Sequence, residues 1–315
     1  MISRKEIELA ASRIEPYVRQ TPTMTLRASA LAGLPGILSF KLENLQVTGS
    51  FKPRGAFNRV LSEKSLPSAG LVAASGGNHG VAVAHVAKTL GLTCEIFLPS
   101  IAPKIKRDQM HALGARVTIE GEVFAEALRA AEERVQQTGA LAIHAFDHPS
   151  VICGQGTLAR EFEVQAPDLD TVLVAVGGGG FIGGIATWYD RRVRVIGVEA
   201  VGSPSLARAL ESGRPVDIAT GGLAADSLGC RRIGELGFAI AQSLHIPSLV
   251  VNEDAIRAAQ RMLWRDMRTI AEPGGAVALA ALVQGLYVPT ANERIGVVIC
   301  GGNADPTESS FADAA

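Results

Sequence analysis

The sequence predicts an α/β protein built on mostly parallel sheets. Short β-rich runs alternate with longer helical patterns along nearly all of the 315 residues, and strand–helix–strand repetition is the mark of α/β architecture. Several runs are near-continuous Val, Ile and Leu, as expected of strands buried on both faces of a parallel sheet. Three strands lead straight into glycine-rich turns: SGGNHG at 75–80, GGGG at 177–180 and CGGN at 300–303.

Taken in order, strands are expected at residues 38–42, 71–74, 94–98, 116–119, 141–144, 172–176, 193–198 and 295–300. Between them lie Ala-rich stretches with helical spacing, notably 81–89, 124–136 and 255–267. In open α/β sheets the ligand binds at the carboxyl ends of the strands, where the three glycine turns fall. Three such turns in one chain are expected to converge on one ligand. No low-complexity linker interrupts the pattern, so two interlocked α/β domains are expected rather than two independent ones.

Composition narrows the classes. With 47% hydrophobic and 19% charged residues the chain is an ordinary globular protein; disorder is expected only at the ends, where 305–315 has little to bury. A formal net charge of −1 gives no field to attract nucleic acid or an anionic membrane. The longest apolar run, 276–283, falls far short of the roughly 18 residues a membrane span needs. The N-terminal MISRKEIELAASRIEP interleaves charge with apolar residues and has no signal-peptide core, so a soluble cytoplasmic protein is expected. Cys94, Cys153, Cys230 and Cys300 form no C-x-x-C pair and no H-E-x-x-H occurs, which leaves metal catalysis without support. Lys104, Lys106 and Arg107 read as solvated helix surface.

Four segments could carry chemistry. In TGSFKPRGA, Lys52 is followed by Pro53, a residue suited to the first turn of a helix. A lysine at such a junction, if buried, has a lowered pKa and a free amine; the same residues also describe a surface lysine at a helix start. SGGNHG offers backbone N–H groups and a helix N-terminus to an anion such as a carboxylate, or is a turn with an Asn N-cap. VLVAVGGGGFIGG lets the backbone approach a phosphate. It also satisfies G-x-G-x-x-G at Gly178, Gly180 and Gly183 with Glu199 following, so a nicotinamide-dependent oxidoreductase is the rival from another class. Cys300, expected to end a buried strand, is a candidate site residue or a plain core cysteine.

These segments, with KLENLQVTGSFKPRGA, GQGT, GVEA, AADSLG and EPGGAVALAAL in order, resemble the serine/threonine dehydratase (threonine ammonia-lyase) and serine racemase family of fold-type-II pyridoxal-phosphate enzymes, from about residue 14 to 303. The resemblance implies a fold like the tryptophan synthase β chain, two interlocked open twisted sheets flanked by helices. Residues 1–68 and 148–315 are then a large cofactor-binding domain, and 69–147 a small domain inserted in it.

It further implies that Lys52 binds pyridoxal 5′-phosphate covalently and, once displaced by substrate, takes the Cα proton, with Phe51 packed near the cofactor ring. Asn78 bonds the cofactor's 3′-oxygen, while Ser75, Gly77, Asn78 and His79 hold the substrate carboxylate. Gly177, Gly178, Gly179 and Gly180 with Phe181 cradle the phosphate, and Cys300 faces the pyridine nitrogen. A neutral thiol there favours β-elimination over transamination.

The implied reaction converts a small β-hydroxy amino acid, L-threonine or L-serine, to a 2-oxo acid and ammonia. 3-Hydroxyaspartate and bulkier β-hydroxy acids are alternatives. The family is mostly dimeric, so a homodimer is expected. Racemases of the family carry a second serine where this chain has Gly76, which disfavours racemisation. Glu199 matches an acid that helps bind a monovalent or divalent cation in relatives, but Ser205 stands where racemases have aspartate; alone, Glu199 also reads as an exposed strand-end acid. Few residues follow CGGN, so the regulatory domain of biosynthetic threonine deaminases is not expected.

Overall fold

The computed structural model describes residues 2–27, 29–33 and 35–305; the expected disorder beyond 305 lies outside them. Ten described strands form two sheets. They are β1 (Thr23–Arg27), β2 (Ile37–Lys41), β3 (Leu71–Ala74), β4 (Cys94–Leu98), β5 (Arg116–Ile119), β6 (Leu141–Ala142), β7 (Thr171–Ala175), β8 (Arg194–Ala200), β9 (Ser248–Val251) and β10 (Arg294–Val298). One sheet has the order β1-β2-β10-β7-β8-β9 and the other β5-β4-β3-β6. Every pairing is parallel except β1 with β2. The architecture is the expected one, two mostly parallel sheets flanked by helices.

Burial explains the sheets. All of β7 is buried, because helices cover both faces of the six-stranded sheet. One of them, Pro273–Val283, is apolar around its circumference and lies in the core. Among the described residues no helix is long and apolar enough to cross a membrane. In the four-stranded sheet, alternate residues feed separate cores: Leu71 and Ala73 join Ile96, Leu98 and Val83 on one face, Val72 and Ala74 join Phe97 and Ala131 on the other. Phe57 and Val60 of helix Lys52–Leu61 belong to the first of these cores, so this helix packs against the four-stranded sheet as well as its own half.

Beneath the loop before Lys52 runs a buried ionic network. Arg54 donates to Glu43 Oε1 at 2.5 Å and Oε2 at 3.0 Å, and to Glu161 Oε2 at 3.0 Å. Lys41 donates to Glu161 Oε1 at 2.5 Å and to the Thr21 carbonyl at 2.6 Å. Two cations thus face two carboxylates, and every partner is satisfied, as burial demands.

The structure corrects several expectations. Strands β1 and β9 were not anticipated; both are sheet edges, and β1 is largely exposed. Strand β10 stops at Val298, so Cys300 lies in the turn beyond the strand rather than ending it. Helix Asn78–Leu90 begins three residues before the expected 81, placing Asn78 and His79 in its first turn. Lys106 is not solvated surface: it is 1% exposed and ion-paired to Asp226 and Glu272.

Candidate active site

The three glycine turns do meet. After β3, the turn from Ser75 to Gly77 leads into helix Asn78–Leu90. After β7, Gly177 to Gly179 lead into helix Gly180–Tyr189, with Gly179 at φ +87° as its N-cap. After β10 comes the turn from Cys300 to Asn303. Asn303 Nδ2 ties this last turn to the first, donating to Asn78 Oδ1 at 2.9 Å, and to the loop before Lys52, donating to the Thr48 carbonyl at 2.8 Å. The Phe51 N–H donates to the Cys300 carbonyl at 3.1 Å. One cleft is lined by Phe51, Lys52, Phe146, Gly177 to Phe181 and Cys300.

Lys52 opens its helix with Pro53 in the first turn, as the sequence requires. Its Nζ donates to the Ala145 carbonyl at 3.1 Å. Burial lowers its pKa to about 8, with Cys230, Cys300 and Glu272 pulling the other way. The amine therefore spends an appreciable fraction of its time uncharged near neutral pH.

The tetraglycine turn has no room for side chains. A Cβ on Gly178 would enter the Phe146 ring, and one on Gly180 would collide with the Phe146 carbonyl oxygen. The first N–H groups of helix Gly180–Tyr189 lack intrahelical acceptors and lie at the cleft wall, where they could receive an anion. Phe181 stacks on Phe51, ring centroids 3.9 Å apart, and so joins the cradle to the lysine loop. Cys300 Sγ meets the Gly274 carbonyl at 3.5 Å. Burial, reinforced by Glu272, pushes its thiol well above the ordinary range, so it is neutral.

Ser75 Oγ accepts from the Gly77 N–H at 3.2 Å and shapes the turn. Asn78 Nδ2 donates to Glu272 Oε1. His79 is turned away: its Nε2 pairs with the Ile143 carbonyl at 2.8 Å, and burial together with Lys52 holds its pKa down to about 3. Its backbone N–H lies in the first helical turn, and its ring is not offered to the cleft.

Glu199 stands outside the cleft wall. It is fully buried, not an exposed strand-end acid, and accepts from the Leu206 and Ala207 N–H groups at 2.7 and 2.8 Å, from Ser248 Oγ at 2.7 Å and from Ser205 Oγ at 3.4 Å. A cation reaching this carboxylate must displace these donors, and among the described residues no group of three His, Cys, Asp or Glu side chains could hold a metal ion. A ribose hydroxyl would face the same barrier, which removes the acidic member of the dinucleotide fingerprint. The single Ser205 Oγ proton is shared between Glu199 and the Gly177 carbonyl, the nearer acceptor at 2.8 Å, so it is Ser205 that braces the glycine turn from behind.

Glu272, Asn303 and Asp226 were not singled out by sequence reasoning. Glu272 did carry a signal: an acid at the N-cap of an apolar helix, directly before Pro273.

The residues fit a phosphorylated aromatic aldehyde: an amine of lowered pKa, a side-chain-free anion cradle and a neutral thiol share one cleft. The sequence profile of the family described as pyridoxal-phosphate dependent enzyme matches residues 14–301. The L-threonine ammonia-lyase of Thermotoga maritima is 37% identical over 97% of this chain and 76% of its own length. The biosynthetic L-threonine dehydratase of Salmonella typhimurium is 39% identical over 86% of this chain, which spans only 54% of that relative. The crystal structure of serine racemase from Dictyostelium discoideum superposes with a TM-score of 0.88 at 34% identity, covering 96% of this chain and 99% of that one.

Proposed function

The chain belongs to the family of pyridoxal-phosphate dependent enzymes, in its threonine dehydratase and serine racemase group, and we propose that it is a lyase that dehydrates and deaminates a small β-hydroxy amino acid such as L-threonine or L-serine, releasing a 2-oxo acid and ammonia.

When bound, pyridoxal phosphate supplies an electron-withdrawing ring that acidifies the substrate's Cα–H. Lys52 holds the cofactor and, when its amine is free, takes the Cα proton as general base; a pKa near 8 suits both tasks. Gly177 to Gly180 and the following helix N-terminus grip the phosphate. Ser75, Gly77 and the first N–H groups of helix Asn78–Leu90 orient the substrate carboxylate. Cys300, neutral, gives the ring nitrogen no proton, which favours expulsion of the β-hydroxyl.

One observation carries the choice of elimination over racemisation. A Cβ at Gly76 would lie 2.6 Å from Ala102 Cβ, so the turn has no room for the second serine that racemases carry at this position. Assembly as a homodimer and a cytoplasmic location are part of the same proposal and rest on the resemblance.

Incubating the holoenzyme with a panel of L-β-hydroxy amino acids should release 2-oxo acid, with no D-amino acid on chiral chromatography. Lys52→Ala should lose both the release and the visible band of the bound cofactor. Accumulation of a D-amino acid without 2-oxo acid would overturn the assignment.

A further inference from the structure

One cluster of charged side chains, with Lys106 and Glu272 buried and Asp226 at its open edge, reaches the site without having been assigned to it. Lys106, on helix Lys104–Ala112, donates to Asp226 Oδ2 at 2.7 Å and to Glu272 Oε2 at 3.4 Å. Glu272 uses its other oxygen to accept from the Asn78 amide. Lys106 and Asn78 lie on helices packed with the four-stranded sheet. Asp226 and Glu272 belong to segments packed with the six-stranded sheet. One carboxylate thus takes its side-chain donors from across the cleft. It cannot swing to find others, because its backbone N–H donates to the Gly301 carbonyl at 3.1 Å and even a Cβ on Gly301 would strike its oxygen.

Building on the site as read above, we propose that Lys106 is a positioning residue of the active site: it holds Glu272 as the charge-paired acceptor that orients the Asn78 amide, and it links the two sheets' helices in doing so.

The charges around Glu272 make a cation necessary. Lys106 and Asp226 face it directly, and Lys52 and Cys300 lie within electrostatic reach. Burial pushes the Glu272 carboxyl up and Asp226 adds to the push, leaving it raised on balance; Lys106 is the main pull downward and opposes any further rise. Lys106 itself is held charged by the two carboxylates against the effect of burial. Without Lys106 the carboxyl takes a proton on the oxygen that faced it, and the bond from the Asn78 amide to the other oxygen weakens from charge-assisted to neutral.

The test compares wild type, Lys106→Met, Glu272→Gln and Lys106→Met/Glu272→Gln, each freed of cofactor. Titration with pyridoxal phosphate should show Lys106→Met binding on the order of tenfold more weakly than wild type. In the Glu272→Gln background, where the acceptor is an uncharged amide, the same lysine change should do little. Thermal melting gives a second readout. A buried carboxyl with a raised pKa favours the folded state only while protonated. The gap in melting temperature between wild type and Lys106→Met should therefore widen as pH rises from roughly 5 to 9, and close in the double variant.

Equal losses from Lys106→Met in both backgrounds, or a gap that does not change with pH, would overturn the proposal. Should Lys106→Met fail to fold, recovery of folded, cofactor-binding protein in the double variant supports it, and failure of both counts against it. No substrate enters either measurement. A missing 2-oxo acid would therefore sink the lyase assignment alone, and wild type that does not bind the cofactor would sink the site itself.

Discussion

Replacing Gly180 with alanine sets a methyl group against the carbonyl oxygen of Phe146, with that residue's carbonyl carbon and Cα both at 3.0 Å. These are backbone atoms, so no rotamer change relieves the clash. The turn and the Phe146 segment must part by roughly half an ångström or more, and overpacking of this kind costs about 1–3 kcal/mol. The displaced N–H groups are those that would grip the phosphate. If the strain is relieved only by moving them, it surfaces as weaker cofactor binding, about tenfold for each 1.4 kcal/mol.

Two neighbours serve as controls. A Cβ on Gly184 meets the Ile152 carbonyl and lies 2.6 Å from the Gly156 nitrogen, where helices Pro149–Gln165 and Gly180–Tyr189 cross. Gly184→Ala should therefore lower stability in the absence of cofactor. A Cβ on Gly183 finds nothing nearer than Ile240 Cδ1 at 3.3 Å, the mobile tip of a side chain. Gly183→Ala should be close to neutral, helped by up to about 1 kcal/mol of helix propensity. A dinucleotide fold reverses the order, because its third glycine is the one needed for close helix–strand packing. Absorbance titration of the cofactor-free variants with pyridoxal phosphate, paired with urea denaturation, separates the effects. Wild-type affinity in Gly180→Ala, or Gly183→Ala as the most damaged of the three, would refute the cradle.

Two further outcomes follow from charge. The rate at which Lys52 captures pyridoxal phosphate should rise about tenfold per pH unit and level off above its pKa of about 8; stopped-flow absorbance against a free-lysine control reads this, and a rise continuing as far as the control's would show the amine to be unperturbed. Arg54→Met leaves Glu43 buried without its cation and should cost about 3–5 kcal/mol in denaturant unfolding, partly restored by adding Glu43→Gln. A loss below about 1 kcal/mol would mean that water reaches that carboxylate.

Inner strands were legible and two of the edges obscure. Strands β3 and β4 match the expected residues because buried parallel strands announce themselves as apolar runs. Strand β1, TMTLR, is mostly exposed and polar, and only its antiparallel pairing with β2 makes it a strand. The same division holds at the site. Lys52, the glycine turns and Cys300 stand in local motifs. Lys106 was read as surface because its partners lie 120 and 166 positions away, and no local pattern distinguishes a solvated lysine from one whose counter-charges arrive by folding. His79 stood in the right motif, but its ring turns to the Ile143 carbonyl, a direction that spacing does not encode.

Strand β10 lies between β2 and β7, though it is the last of the described strands to be synthesised. Until it arrives, a nascent chain carries two unpaired parallel edges, and the loop before Lys52 lacks the Cys300 carbonyl that receives the Phe51 N–H. Cofactor capture thus becomes a late event of biosynthesis. The waiting gap between β2 and β7 is where chaperones would find the chain most in need of shelter.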